Sequence, residues 1–282
     1  MVIKIARVIV GVVALFLGLF AVAQAQSPAT IKKDEKREKQ AAKKERINQL
    51  IKQEEEGAII YEKQNIFGVK LYNDGWAGFY EKGVHKTVNL TNLYSVEIGE
   101  RKAAKEQRIS KSDGTGFFLN RPLIYGKQNN FYFMKLGIGQ SYLIGGKGNR
   151  NGVAVSAVYA GGVSLGFLKP YYVDVVDPIS RQASTIRWQG NNSRGDTLFL
   201  DPAAIEGGAG VFKGFGDMKI KPGLHARGSV RFDYGRYNEL VSAIEAGINV
   251  EYYFSSMPIM LLNEEKKFFA NVFIAFEFGR RK

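Results

Sequence analysis

The sequence predicts an all-β protein: a closed antiparallel up-and-down transmembrane β-barrel of about eight strands, with an N-terminal helical or disordered extension. Three observations predict it. Long segments near the C-terminus alternate apolar and polar residues in steps of two, past residue 26 no apolar run is long enough for a helical span, and short joints alternate with long ones. Successive side chains of a strand point to opposite faces, so each such segment has one apolar and one charged face. At about 3.4 Å per residue, runs of about 15 to 17 residues far exceed the usual strand of about 5 to 6.

The first element is not part of the fold. Lys4 and Arg7 precede an apolar stretch over 8–23, and Ala23-Gln24-Ala25 supplies a small-x-small cleavage pattern, so 1–25 reads as a secretory signal peptide. Residues 26–58 are dominated by Lys, Arg and Glu, with Ile47, Leu50 and Ile51 as the only helix-spaced apolar group. That composition suits a charged periplasmic tether or helix. The barrel is expected over 59–282.

Its strands fall near 62–73, 76–85, 92–102, 130–145, 152–174, 217–235, 239–255 and 267–279. An Asp-Gly step at Asp74-Gly75 marks the first hairpin. The segments 103–129, 176–216 and 256–266 are long, whereas 83–91, 146–151 and 235–238 are short. With both ends of the barrel in the periplasm, the joints after odd strands face outward, and three of those four are the long ones. Bacterial barrels show that asymmetry. Aromatics gather near strand ends, at Phe131, Tyr132 and Phe133, Tyr171 and Tyr172, Tyr234 and Tyr237, and Tyr252, Tyr253 and Phe254, and are expected as interfacial girdles.

The faces follow from parity. Leu224, Ala226, Gly228, Val230 and Phe232 face lipid while His225, Arg227, Ser229, Arg231 and Asp233 face the lumen; Ile244, Ala246, Ile248 and Val250 oppose Glu245, Gly247, Asn249 and Glu251; Val272, Ile274, Phe276 and Phe278 oppose Asn271, Phe273, Ala275 and Glu277. A barrel of eight strands has an interior just wide enough for side chains. The expected lumen network comprises Lys70, Lys135, Arg227 and Arg231 as cations and Glu97, Asp233, Glu245, Glu251 and Glu277 as anions. A three-residue turn at 236–238 would place Glu245 opposite Ser229 and diagonal to both arginines. Ser156, Ala160, Gly162, Ser164 and Gly166 leave room for long neighbours, and the expected result is a plug of ion pairs, not an open pore.

With no cysteine, the chain has no disulfide framework, thiolate metal site or cysteine-linked lipid. A net charge of +13 on an exported chain points to anionic outer-membrane lipid, lipopolysaccharide included, and not to nucleic acid. Arg101, Lys102, Lys105, Arg108 and Lys111 form the densest basic cluster outside the tether and are expected to touch lipopolysaccharide at the outer rim. No catalytic, cofactor or metal site is expected. The histidines are His85 and His225, and Ser229, on the face of His225, stands about 13 to 14 Å along the strand, too far to share a proton. Arg194-Gly195-Asp196, an adhesion-type tripeptide, carries no weight by itself.

The stretch Tyr125-Gly-Lys-Gln-Asn-Asn-Phe-Tyr-Phe-Met-Lys-Leu-Gly-Ile-Gly139, continued by Gly161-Gly-Val-Ser-Leu-Gly-Phe-Leu-Lys-Pro-Tyr171, resembles a family of small outer-membrane barrels widespread in Bacteroidota. Asn73-Asp-Gly-Trp-Ala-Gly-Phe-Tyr80 and the charged run 97–106 are similar too, and the likeness covers roughly 60–280. The resemblance implies an eight-stranded barrel without assigned catalytic residues. The expected function is a non-enzymatic integral outer-membrane barrel, a structural or accessory subunit of an envelope assembly or secretion complex that contacts other envelope proteins. The alternatives are a lipid-modifying barrel enzyme and a narrow transport pore.

Overall fold

The computed structural model describes residues 62–103, 106, 108–109, 122–147, 152–235 and 239–282. The expected signal peptide and tether, Lys105, Lys111 and Tyr237 lie outside the described residues. In chain order the strands are β1 (Lys63–Tyr72), β2 (Gly75–Thr87), β3 (Leu90–Arg101), β4 (Arg108–Ile109), β5 (Leu123–Ile124), β6 (Asn129–Gly145), β7 (Ala154–Pro170), β8 (Tyr172–Val176), β9 (Ala183–Arg187), β10 (Ile205–Gly208), β11 (Lys219–Asp233), β12 (Leu240–Met257) and β13 (Lys266–Arg281). Among the described residues one α-helix, α1 (Arg194–Leu200), lies between β9 and β10.

Eight of these strands, β1, β2, β3, β6, β7, β11, β12 and β13, close a barrel in which each pairs antiparallel with the next, and β13 returns to β1. Closure is what the alternation requires. Phe67, Leu71, Ile98, Ile138, Val163, Ile248, Ile274 and Phe278 are exposed on the outside, while the opposite parity is buried. A belt of large apolar side chains around every wall is stable in hydrocarbon and not in water, so this is a bilayer-spanning barrel. Both ends of the barrel lie together, Lys63 N–H donating to Lys282 O at 2.8 Å. That side is called the terminal end below and the other the loop end.

Three expectations are corrected. The strand expected over 152–174 stops at Pro170, which has no N–H for the ladder. Beyond it, β8 leaves the barrel and pairs with β9 and β10 in a separate sheet, so 176–216 is folded and not a plain loop. The register between β11 and β12 is shifted by two residues, with Arg231, not Ser229, opposite Glu245. An even shift keeps the same residues inside, which is why the face assignment survives it. The aromatic clusters divide: Tyr132, Tyr234, Tyr252 and Phe254 face outward, but Phe131, Phe133 and Tyr253 are fully buried in the lumen. Alternation alone sends every second aromatic inward.

The loop end carries a small unit with its own core of Leu123, Val173, Val175, Phe199 and Ile205. Its helix starts at the tripeptide. Ser193 caps α1, its side chain accepting from Asp196 N–H, and Arg194 pairs with Asp177 at 2.6 Å. Asp196 is buried and accepts from the N–H groups of Gln189 (2.8 Å) and Asn191 (2.9 Å), so Arg194-Gly195-Asp196 is a structural helix start and its aspartate is not displayed.

Two outcomes test this layout. Ile248→Arg, in mid-β12 on the lipid face, should cost about 2–4 kcal/mol in urea unfolding from phospholipid vesicles. The second concerns acid. The Ile179 N–H and then the Arg194 guanidinium bring Asp177 down to about 2. Burial opposes ionisation of Asp196, but the N–H groups of Gln189, Asn191, Gly190 and Ser193 outweigh it and hold that carboxyl below its usual range. Both pKa values lie below the unfolded value near 3.9, so their stabilisation is present above that value and is lost as pH falls below it, for Asp177 through about 2. Trp188 emission in a Trp76→Phe background should therefore shift red across that window, and Asp177→Asn should weaken the transition.

Candidate functional site

The lumen is built by the inward parity of all eight walls. Small residues on β6 and β7 make the space: a Cβ at Gly137 would lie 3.1 Å from His225 Nε2, and one at Gly166 would lie 2.7 Å from Met257 and 3.0 Å from Tyr253. Among the described residues, seven cations project into that space, Lys70, Arg101, Lys135, Lys147, Arg227, Arg231 and Arg281, against seven carboxylates, Asp74, Glu81, Glu97, Asp233, Glu245, Glu251 and Glu277. The balance leaves no excess charge to draw ions through.

The pairs form three tiers. Nearest the loop end, Lys70 Nζ donates to Glu97 at 2.7 Å, and Lys135 bridges Glu97 (2.9 Å) and Glu251 (2.6 Å). Arg101 spans Glu251 and Asp74, the latter at 2.7 Å. Aromatic rings close over this tier: Lys70 sits 4.5 Å from the Phe79 centroid and Lys135 4.3 Å from that of Phe133, distances at which a desolvated cation is attracted to the ring face. In the middle tier, Arg231 reaches Glu81, Glu245 and Glu277, each at 2.7 Å, while Arg227 holds Glu81 and lies 3.6 Å from Glu245. Ser229 donates to Glu245 at 2.7 Å. At the terminal end, Asp233 accepts from Arg281 and, at 3.2 Å, from Lys147.

The structure therefore brings together every residue of the expected network: Lys70, Glu97, Lys135, Arg227, Arg231, Asp233, Glu245, Glu251 and Glu277 are all buried and paired. Sequence reasoning missed five members, one of them Asp74, which it reads only as part of the first hairpin step. Glu81 follows Trp76-Ala77-Gly78-Phe79-Tyr80, where aromatics occupy both parities and hide the inward face. Lys147 and Arg281 lie just beyond the strand lengths assumed. Arg101 was expected at the outer rim for lipopolysaccharide; its inward parity on β3 buries it instead, committed to two carboxylates. The rest of that basic cluster is not gathered: Lys102 and Arg108 are exposed, and Lys105 and Lys111 lie outside the described residues.

His225 also differs from expectation. Its Nδ1 lies 3.3 Å from Ser164 Oγ across the β7–β11 ladder, a serine partner that spacing along one strand does not reveal. Ser164 is fully buried and His225 nearly so, with Tyr253 and Gly137 packed around them, so the pair fills the lumen and offers no face to a lipid ester.

No protein-family profile matches the chain, and no curated protein matches its sequence. Among solved structures it is similar to the attachment invasion locus protein Ail of Yersinia pestis bound to the heparin analogue sucrose octasulfate, at 10% identity and TM-score 0.36 over 79% of this chain and 100% of that one. It is also similar to Neisserial surface protein A, at 8% identity and TM-score 0.36 over 78% of this chain and 94% of that one, and to a major outer membrane protein of Thermus thermophilus, at 13% identity and TM-score 0.36 over 77% and 99%. Likeness at this level carries no argument, and the barrel rests on its own strand pairing.

Removing one partner from a buried pair leaves a desolvated charge, which costs about 3–5 kcal/mol. Glu81→Ala removes one carboxylate from both Arg227 and Arg231 and should lower unfolding free energy by about that range in urea titrations from vesicles; Lys102→Ala, on the exposed rim, should change it by less than about 0.5 kcal/mol.

Proposed function

We propose that the protein is an integral outer-membrane barrel whose lumen is sealed by ion pairs, a non-enzymatic structural or accessory subunit of an envelope assembly or secretion complex. The observation that carries the reading is the three-tier network: a barrel built to conduct keeps a wet path, and here the interior is occupied by side chains that neutralise one another. The export signal expected at 1–25 and the resemblance to small barrels of Bacteroidota support the outer membrane as its place. Long segments at the loop end and short joints at the terminal end support periplasmic termini, following the asymmetry of bacterial barrels. The loop-end unit, with its own apolar core, is the part available to touch other envelope proteins.

Purified protein in planar bilayers should show no large steady conductance, and deletion of the gene should leave lipid A and phospholipid composition unchanged. A persistent open channel supports the transport alternative and removes the sealed-lumen reading; a defined acyl or headgroup change supports the enzyme. Crosslinking in intact membranes should capture envelope proteins, and recovery of the barrel alone and monomeric removes the accessory role.

A further inference from the structure

Outside the barrel wall, where β6 and β7 meet the loop-end unit, lies a groove of about 580 Å³. Arg108, Lys127, Lys169 and Lys213 line it against only two carboxylates, Glu100 and Glu106. Lys127 is committed to Glu106 at 2.7 Å. Lys169 is different: it is 3% exposed, yet among the described residues no carboxylate lies within 4.0 Å of its ammonium, which donates to Val211 O and sits 4.5 Å from the Phe215 centroid. Lys213 leans over the Tyr172 ring at 5.9 Å, also without a described carboxylate in pairing range. The groove thus holds four cations against two carboxylates, an excess of positive charge that its own lining does not balance.

Its rim is apolar in an unusual way. Val211 is 73% exposed and Phe212 89%, next to Phe215 and Ile220, which are also exposed. Solvated loops rarely display such a set, whereas lysines beside exposed phenylalanines suit the boundary between headgroups and acyl chains, where the apolar part enters the chains and the amines stay at the surface. The barrel wall places the groove at that boundary, since Tyr132 lines it and Met134, Leu165 and Phe167 continue beneath toward the mid-bilayer.

We infer that this groove binds the phosphorylated headgroup of an outer-leaflet lipid, with Arg108, Lys169 and Lys213 facing the phosphate and Val211, Phe212 and Phe215 set among the acyl chains. Arginine and lysine supply charge-assisted hydrogen bonds to phosphate oxygens. The inference rests on the outer-membrane reading above and names a lipid class for it.

The test uses the full-length protein in detergent, with phosphorylated lipid A and its dephosphorylated form as probes, read by native mass spectrometry. The phosphorylated form should bind preferentially, and Arg108→Gln with Lys213→Gln should weaken it about tenfold. Phe212→Ser should also weaken it. These three side chains are outside the lumen network, so the variants test binding even if Lys169→Gln fails to fold. Equal binding of the two lipids, or unchanged binding by the variants, overturns the inference; so does equally tight binding of glucosamine phosphate, which has no acyl chains. A barrel that fractionates with the outer membrane but ignores the lipid sinks this inference alone, whereas one absent from that membrane sinks the reading beneath it.

Discussion

Neutralisation of charge across a closed lumen is the constraint on which the other features of this barrel depend. Moving a carboxylate or an ammonium out of water costs several kcal/mol even after relaxation, so each of the buried groups must meet an opposite charge. Arg231 shows how this binds the cylinder together. It sits on β11 and reaches carboxylates on β2, β12 and β13, and β2 stands diametrically opposite it in the ring. Arg101 on β3 likewise reaches Glu251 on β12 across the diameter. Guanidinium groups suit these posts because one planar fork can hold several carboxylates at once.

Such pairs need not make the barrel more stable than an apolar interior would. Their effect is on register. A slip of β11 by one residue would turn Arg227 and Arg231 toward lipid, where a charge at the bilayer midplane costs about 2–4 kcal/mol, and would leave Glu81 and Glu245 without those partners. The same pairs fill the middle of the lumen where a water path would run. The aromatic side chains of Phe79, Phe131, Phe133, Phe273 and Tyr253 interleave with the first tier and pack the lumen toward the loop end.

With the lumen committed to itself, interaction is left to the outside. The belt meets acyl chains, and the loop-end unit and the groove at its base meet whatever lies at the surface. That division explains why the described cations inside are all matched while several at the rim, such as Lys169 and Lys213, are not. Inside, an unmatched charge would be intolerable; at the rim, the Val211 carbonyl and the Phe215 ring answer Lys169, and water answers the exposed Lys213.

The sequence by itself determined the barrel, its eight membrane strands and the nine expected lumen charges, because strand alternation has a period of two and survives errors in strand ends and even shifts in register. It did not determine which charges meet. Glu81 lies 150 residues from Arg231, and Ser164 lies 61 from His225, separations over which no local periodicity carries information. Only closure of the ring sets those partners, buries Arg101 instead of displaying it, and folds 171–218 into a sheet and helix whose strands are too short to announce themselves. Faces are a local property of the backbone, whereas partners across a cylinder exist only once the cylinder is closed.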